Sequence, residues 1–91
     1  MEQEAFVSLK DEWEDLDDIL STSLTSAETY DFECHGPVAC LVQFGTAKPT
    51  DMGGILLDKD GLKKLSYTIA SDNIYVRGVG GTSSLNIVKT S

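Results

Sequence analysis

The fold of this chain is decided by residues 30–45, which read Tyr30-Asp31-Phe32-Glu33-Cys34-His35-Gly36-Pro37-Val38-Ala39-Cys40-Leu41-Val42-Gln43-Phe44-Gly45. Apolar and polar residues alternate from Tyr30 to His35, the period of two that is typical of a strand with one buried face. Gly36-Pro37 ends this run, because proline lacks an N–H and glycine accepts positive φ. The apolar run from Val38 to Phe44 predicts a strand covered on both faces. The sequence therefore predicts a central β-hairpin.

Four further segments show apolar or alternating patterns between turn residues. They are residues 55–57, 65–69, 74–77 and 85–88. Short strands at close spacing, separated by Gly, Pro and Asp turns, are typical of all-β domains. We therefore expect a small antiparallel β-sandwich or barrel of about six to eight short strands.

The N-terminal segment has a different pattern. Leu9, Trp13, Leu16 and Leu20 recur at helical spacing with acidic residues between them. Aspartates are poor helix formers and few turns are available, so such a segment is marginal unless it packs on the domain's own sheet or on another chain. We expect an acidic amphipathic arm over residues 1–26, partly helical, and a β-sandwich domain over residues 27–91. The four apolar residues are the candidate partner-binding set, and we expect the domain to fold without residues 1–12.

Charge is distributed unevenly along the chain, whose net charge is −8. Residues 1–33 hold eleven acidic and one basic residue, a net charge of −10, whereas residues 34–91 have a net charge of +2. This balance argues against nucleic acid as a partner, since phosphate binding needs clustered Lys and Arg. The acidic arm is either solvated or docks on a basic surface of another chain.

No membrane or export segment is predicted. Apolar runs fall short of the roughly 20 residues that cross a bilayer. The acidic start, Met1-Glu2-Gln3-Glu4, is followed by no long apolar run, so we expect no signal peptide and synthesis in the cytoplasm.

The chain has few residues suited to catalysis or metal binding. His35 is the single histidine, and the sequence offers it no paired nucleophile. Cys34, His35 and Cys40 total three potential zinc ligands where a structural site needs four, and adjacent strand residues point to opposite faces. We expect no catalytic, cofactor or metal site. The two cysteines could face each other across the hairpin, and we expect a reduced pair of small buried groups.

Three groups of motifs, in this order, carry a resemblance. The first is Trp13-Glu14-Asp15-Leu16, followed by the run from Leu24 to Tyr30. The second is the run from Val42 to Leu57, with Ala47-Lys48-Pro49-Thr50 in its loop. The third is Ile74-Tyr75-Val76-Arg77-Gly78 with the Gly/Ser turn after it. Over residues 13–88 the chain resembles the small β-sandwich accessory proteins of tailed bacteriophage virions.

The resemblance implies a non-enzymatic structural role in the virion. The first role that it implies is that of a capsid decoration or cement protein, which binds the major capsid protein or another virion protein. The resemblance also implies a homo-oligomer, either a trimer or another assembly. The protein would be made in the host cytoplasm and reside in the virion. Two alternatives are a head–tail or tail accessory protein and a carbohydrate- or receptor-binding β-module. The candidate aromatic residues for that module are Trp13, Tyr67 and Tyr75.

Overall fold

The predicted all-β fold is confirmed in a computed structural model, which describes residues 4–20, 27–58, 64–69 and 73–89. Within these ranges, eight strands form two four-stranded antiparallel sheets. The strands are β1 (Glu4–Leu9), β2 (Glu14–Asp15), β3 (Thr29–Pro37), β4 (Cys40–Gly45), β5 (Ile55–Leu57), β6 (Lys64–Thr68), β7 (Asn73–Gly78) and β8 (Ser83–Lys89). One short helix, α1 (Leu16–Leu20), follows β2. The polar run at residues 21–26, which predicts a loop, and the turn residues at 59–61 and 71–72 lie outside the described residues.

The two sheets are built from strands that are distant in sequence. The first sheet has the order β1-β8-β3-β6, and the second has the order β2-β7-β4-β5. Among the eight described strands, β4 and β5 alone are both consecutive and in the same sheet. The main core lies between the sheets, with Phe32 and Ile87 contributed by the first sheet and Val42 and Val76 by the second. Each sheet thus buries one face against the other, as in other β-sandwiches.

The predicted hairpin at Gly36-Pro37 is wrong, although the strand periodicity around it is confirmed. Tyr30, Phe32 and Cys34 are all buried while the residues between them are more exposed. However, β3 pairs with β6 and β8, whereas β4 pairs with β5 and β7. The register of β3 against β8 shifts between Cys34 and Gly36. This irregularity lies at the end of β3, just before Val38 and Ala39 cross to β4 of the second sheet. The segment that begins at Gly36-Pro37 is therefore a corner between two sheets.

The N-terminal segment is part of the sandwich over its described residues, which corrects the expectation of a separate arm. β1 pairs with β8 at the edge of the first sheet, and β2 pairs with β7 at the edge of the second. Val7 and Leu9 alternate inward, so the backbone of this segment satisfies its hydrogen bonds as a strand and buries its apolar residues. Among the described residues of this segment, helical geometry is confined to α1. Removing residues 1–12 would remove β1 from the edge of the first sheet, so we now expect this deletion to destabilise the fold.

Candidate interaction surface

The outer face of the second sheet has a small apolar cluster of its own. Trp13, Leu41 and Tyr75 are buried there and Val79 packs against them; we call this set the Trp13 cluster. Leu41 lies between Cys40 and Val42, and all three are buried. Side chains of adjacent strand residues point to opposite faces, so β4 is covered on both faces over these residues. The sequence prediction of a two-sided strand is confirmed at this point.

Trp13 is fixed by the loop that connects β4 to β5. Its indole N–H donates to the carbonyl oxygen of Asp51 at 2.7 Å. The Asp51 carboxylate accepts from the backbone N–H of Gly53 at 3.1 Å and from the side-chain amide of Gln43 at 3.4 Å. A buried indole usually finds such an acceptor. The loop and the tryptophan therefore hold each other against the sheet.

A second set of contacts holds the segment that precedes Trp13. The Arg77 guanidinium carbon lies 6.0 Å from the centre of the Trp13 ring, and the same side chain forms an ion pair with Asp11. The Asp11 carboxylate also accepts from the backbone N–H of Gly80 at 3.1 Å. These contacts lower the pKa of Asp11, chiefly through the hydrogen bond from Arg77 and then through that from Gly80. Arginine thus joins an aromatic contact to an ion pair at one site.

Two large apolar side chains remain exposed next to this cluster. Met52 and Leu56 each have a relative exposure of 50%. Leu56 is paired in register with Leu41 and so lies on the same face of the second sheet. Met52 directly follows Asp51, which holds Trp13. We call Met52 and Leu56 the apolar rim.

The apolar rim adjoins an edge strand without charged residues. β5 reads Ile55-Leu56-Leu57, whereas β1, β2 and β6, the other edge strands of the described sheets, each contain a charged residue. Charged side chains on edge strands oppose association with other proteins. This edge of the second sheet lacks that protection, and it is therefore our candidate surface for contact with another protein.

The outer face of the first sheet is polar. The Lys64 ammonium lies 3.1 Å from the Asp31 carboxylate, which also accepts a hydrogen bond from Ser66. The Ser66 hydrogen bond is the main cause of the lowered pKa of Asp31, with a smaller contribution from Lys64. The hydroxyls of Thr29 and Thr68 lie 2.8 Å apart across the same strands. This face is suited to contact with water.

The predicted partner-binding residues pack within the fold of this chain. Leu9 and Leu16 are part of the main core, Trp13 lies in the Trp13 cluster, and Leu20 is half-buried against the core. Leu9, Trp13 and Leu16 are buried and stabilise the fold, which corrects their assignment as a partner surface. The assignment of the half-buried Leu20 stays a prediction. Sequence reasoning missed the apolar rim. One sequence feature could have indicated the exposure of Leu56. It lies in an apolar run of only three residues, and a strand that short is often at a sheet edge, where some of its side chains stay exposed.

The described residues show a few polar contacts of chemical interest. His35 Nε2 lies 2.7 Å from a Glu33 carboxylate oxygen on the outer face of β3. The free thiols of Cys34 and Cys40 meet in the core with their sulfur atoms 2.9 Å apart. Within the described ranges, no three side chains of the metal-ligating types converge on one point.

The helix that the structure describes lacks the length needed to cross a membrane.

Comparisons of the chain with protein-family models, with curated proteins and with solved structures found no match.

Proposed function

We propose that this protein is a non-enzymatic structural protein of a tailed bacteriophage virion, of the decoration or cement type, which binds the major capsid protein lattice through its apolar rim. The observation that carries the proposal is the exposure of Met52 and Leu56 beside a loop fixed by Trp13. Methionine and aromatic residues are enriched at protein interfaces. The virion setting comes from the resemblance of residues 13–88 to phage accessory proteins.

A rigid loop favours binding because little entropy is lost when it docks. The hydrogen bond from Trp13 and the two bonds to the Asp51 carboxylate fix the backbone before any partner arrives. Each rim side chain is already half-buried, so covering the rest contributes on the order of 1 kcal/mol. Such a contact is weak for one copy. Many copies, joined as a homo-oligomer on a repeating lattice, would bind firmly through multivalency.

The opposite edge of the second sheet supports an electrostatic contribution. β2 and α1 carry acidic residues that are exposed or half-buried, namely Glu14, Asp15, Asp17 and Asp18. A basic capsid surface would attract this edge, and added salt would weaken the attraction. Affinity would come mainly from the apolar rim, and orientation from the acidic edge.

The carbohydrate-binding alternative has less support. Sugars stack on exposed aromatic faces, but Trp13 and Tyr75 are buried in the Trp13 cluster. Tyr67 is half-buried and stacks on Phe44, with the ring centres 4.0 Å apart. A head–tail or tail accessory role would use the same apolar rim on a different virion protein.

The test is co-sedimentation of the purified protein with empty capsid shells of the phage that encodes it, at low and high salt. The double variant Met52→Ser, Leu56→Ser should lose most of its binding while its melting temperature stays close to that of the wild type. The matched control is Ser66→Ala with Thr68→Ala on the outer face of the first sheet, which should bind normally. Equal binding by both variants would refute the apolar rim as the contact surface.

A parallel glycan array and sedimentation with isolated tails separate the alternatives. Binding to glycans or tails and not to shells would overturn the decoration role. Analytical ultracentrifugation of the free protein would measure its oligomeric state.

A further inference from the structure

We propose that Cys34 and Cys40 are a redox pair that closes to an internal disulfide linking the two sheets when the protein meets a low-molecular-weight disulfide oxidant. Cys34 lies on β3 of the first sheet and Cys40 on β4 of the second, on either side of the Gly36-Pro37 corner. Their sulfur atoms are 2.9 Å apart, and both residues are fully buried. The inference is independent of the proposed function.

The fold itself brings the two sulfur atoms together. Both side chains point into the space between the sheets, and the sulfur atoms need to approach by about 1 Å to reach bonding distance. Disulfides require side chains that point toward each other, and the inward alternation of β3 and β4 provides this. A pair six residues apart in an unfolded chain has no such fixed orientation.

The surroundings accept the loss of both thiol hydrogens. The Ser83 hydroxyl oxygen lies 3.3 Å from Cys40 Sγ and donates to the carbonyl of Val38. That carbonyl is also the acceptor 3.5 Å from the Cys34 thiol. After oxidation the Val38 carbonyl would still have its serine donor. The Ser83 hydroxyl would lose the Cys40 thiol as a donor but would itself still donate to Val38. The site is therefore compatible with both redox states.

The reaction is an ordinary thiol–disulfide exchange. One cysteine thiolate attacks the oxidant's sulfur–sulfur bond, forming a mixed disulfide and releasing one small thiolate. The second cysteine then attacks the mixed disulfide, forming the internal bond and releasing the second small thiolate. In total, two protein thiols are oxidised and one small disulfide is reduced to two thiols. Burial raises the pKa of Cys40 to about 12, so we expect slow reaction in the folded protein.

We expect an oxidant to reach the pair through the corner. Pro37 is exposed and Ala39 is half-buried, so a local opening of this segment would bring the sulfur atoms to solvent. In a reducing cytoplasm the pair would stay as thiols, and in oxidising surroundings it would close. The protein would then gain a covalent link between its sheets after leaving the cell.

The experiment equilibrates the full chain with glutathione redox buffers of graded ratio, once in native buffer and once in denaturant. Intact mass and alkylation of the acid-quenched protein count the free thiols. We expect the native protein to lose about two mass units with both thiols, and to favour the bridge at least tenfold more than the denatured chain does. By linkage, the oxidised protein should then melt at a higher temperature.

Several outcomes would overturn the proposal. These are a ratio of one or less between native and denatured protein, a stable glutathione adduct on one cysteine, or thiols that persist after equilibration. Cys34→Ser and Cys40→Ser are the matched controls, and neither can form the internal bridge. The main measurement uses the wild-type protein, so poor folding of a control variant leaves the result intact.

Discussion

The two outer faces of this sandwich differ in polarity and in how far other parts of the chain cover them. The outer face of the first sheet is polar, and its Asp31 is held by Ser66 and Lys64. The outer face of the second sheet is apolar at Leu41 and Tyr75, and Trp13 covers it. A polar face needs no cover, whereas an apolar face must be buried by another part of the chain. The cover comes from residues 10–13 and from the β4–β5 loop.

The difference explains why the exposed large apolar side chains lie beside the second sheet. The apolar outer face of the second sheet is covered by Trp13, which is bonded to the β4–β5 loop. Met52 lies in this loop and is half-exposed. The first sheet has no such loop over its outer face in the described residues. The candidate contact surface is thus a consequence of how the second sheet is covered.

Val42→Asp should have the largest effect on stability, because it places a charge in the core between the two sheets. Val42 is fully buried in the main core, where an unpaired charge costs several kcal/mol. We expect an unfolded protein by circular dichroism and thermal melting. Thr68→Asp, on the exposed face of β6, is the control and should stay folded. A variant at Val42 that melts like the wild type would refute the core assignment.

Trp13→Ala should be the next most damaging change, because it uncovers the second sheet. Truncation of a buried tryptophan typically costs about 3–5 kcal/mol. Trp13→Phe keeps a ring over Leu41 but loses the hydrogen bond to Asp51, so it should cost less. Urea unfolding of both variants measures the free energy of unfolding. A loss under about 1 kcal/mol for Trp13→Ala would mean that the cluster is not a true second core.

Gly54→Ala tests the turn that returns the β4–β5 loop to the sheet. Gly54 has φ of 113°, and an added Cβ would lie 2.5 Å from the carbonyl oxygen of Val42. We expect a loss of about 1–3 kcal/mol in the free energy of unfolding. Gly80→Ala is the matched control, since Gly80 also has positive φ, at 80°, with nothing within 4 Å of the added atom. Equal losses would show that the clash with Val42 is relieved at no cost.

The smallest effect should come from the surface ion pairs, measured by acid titration of stability. The pKa values of Asp11 and Asp31 are both lowered in the folded protein. Each group therefore contributes stability above its ordinary pKa of 3.8, and that contribution is lost as the pH falls through the lower folded value. Asp11→Asn and Asp31→Asn should each flatten part of the fall in melting temperature below about pH 4. Unchanged acid profiles would show that neither interaction stabilises the fold.

Local patterns predicted most strands but not their partners. The alternation at Tyr30, Phe32 and Cys34 depends only on which face is buried, so it could be read directly. Pairing depends on contacts between distant residues, and the same Gly-Pro segment is compatible with a hairpin or with a corner between sheets. The hairpin prediction failed for that reason.

The N-terminal segment shows a second limit. Leu9, Trp13, Leu16 and Leu20 recur at helical spacing, but only Leu16 and Leu20 lie in a helix. Leu9 lies in β1 because that segment pairs with the distant strand β8. The candidate surface was beyond prediction because the exposure of Met52 depends on a loop placed by Trp13, 38 residues before Asp51. Covering of the β4 strand on both faces was predictable because its apolar run was continuous.

The position of β8 has a consequence for the order in which the chain folds. β8 lies between β1 and β3, and β1 has no other strand partner in the described sheets. During synthesis on the ribosome, seven strands therefore emerge before the first sheet has its central strand. Pairing the earliest strand with the latest gives a high contact order, which slows folding. We expect the sandwich to form only after residue 89 has left the exit tunnel, when Glu4 can pair with Val88.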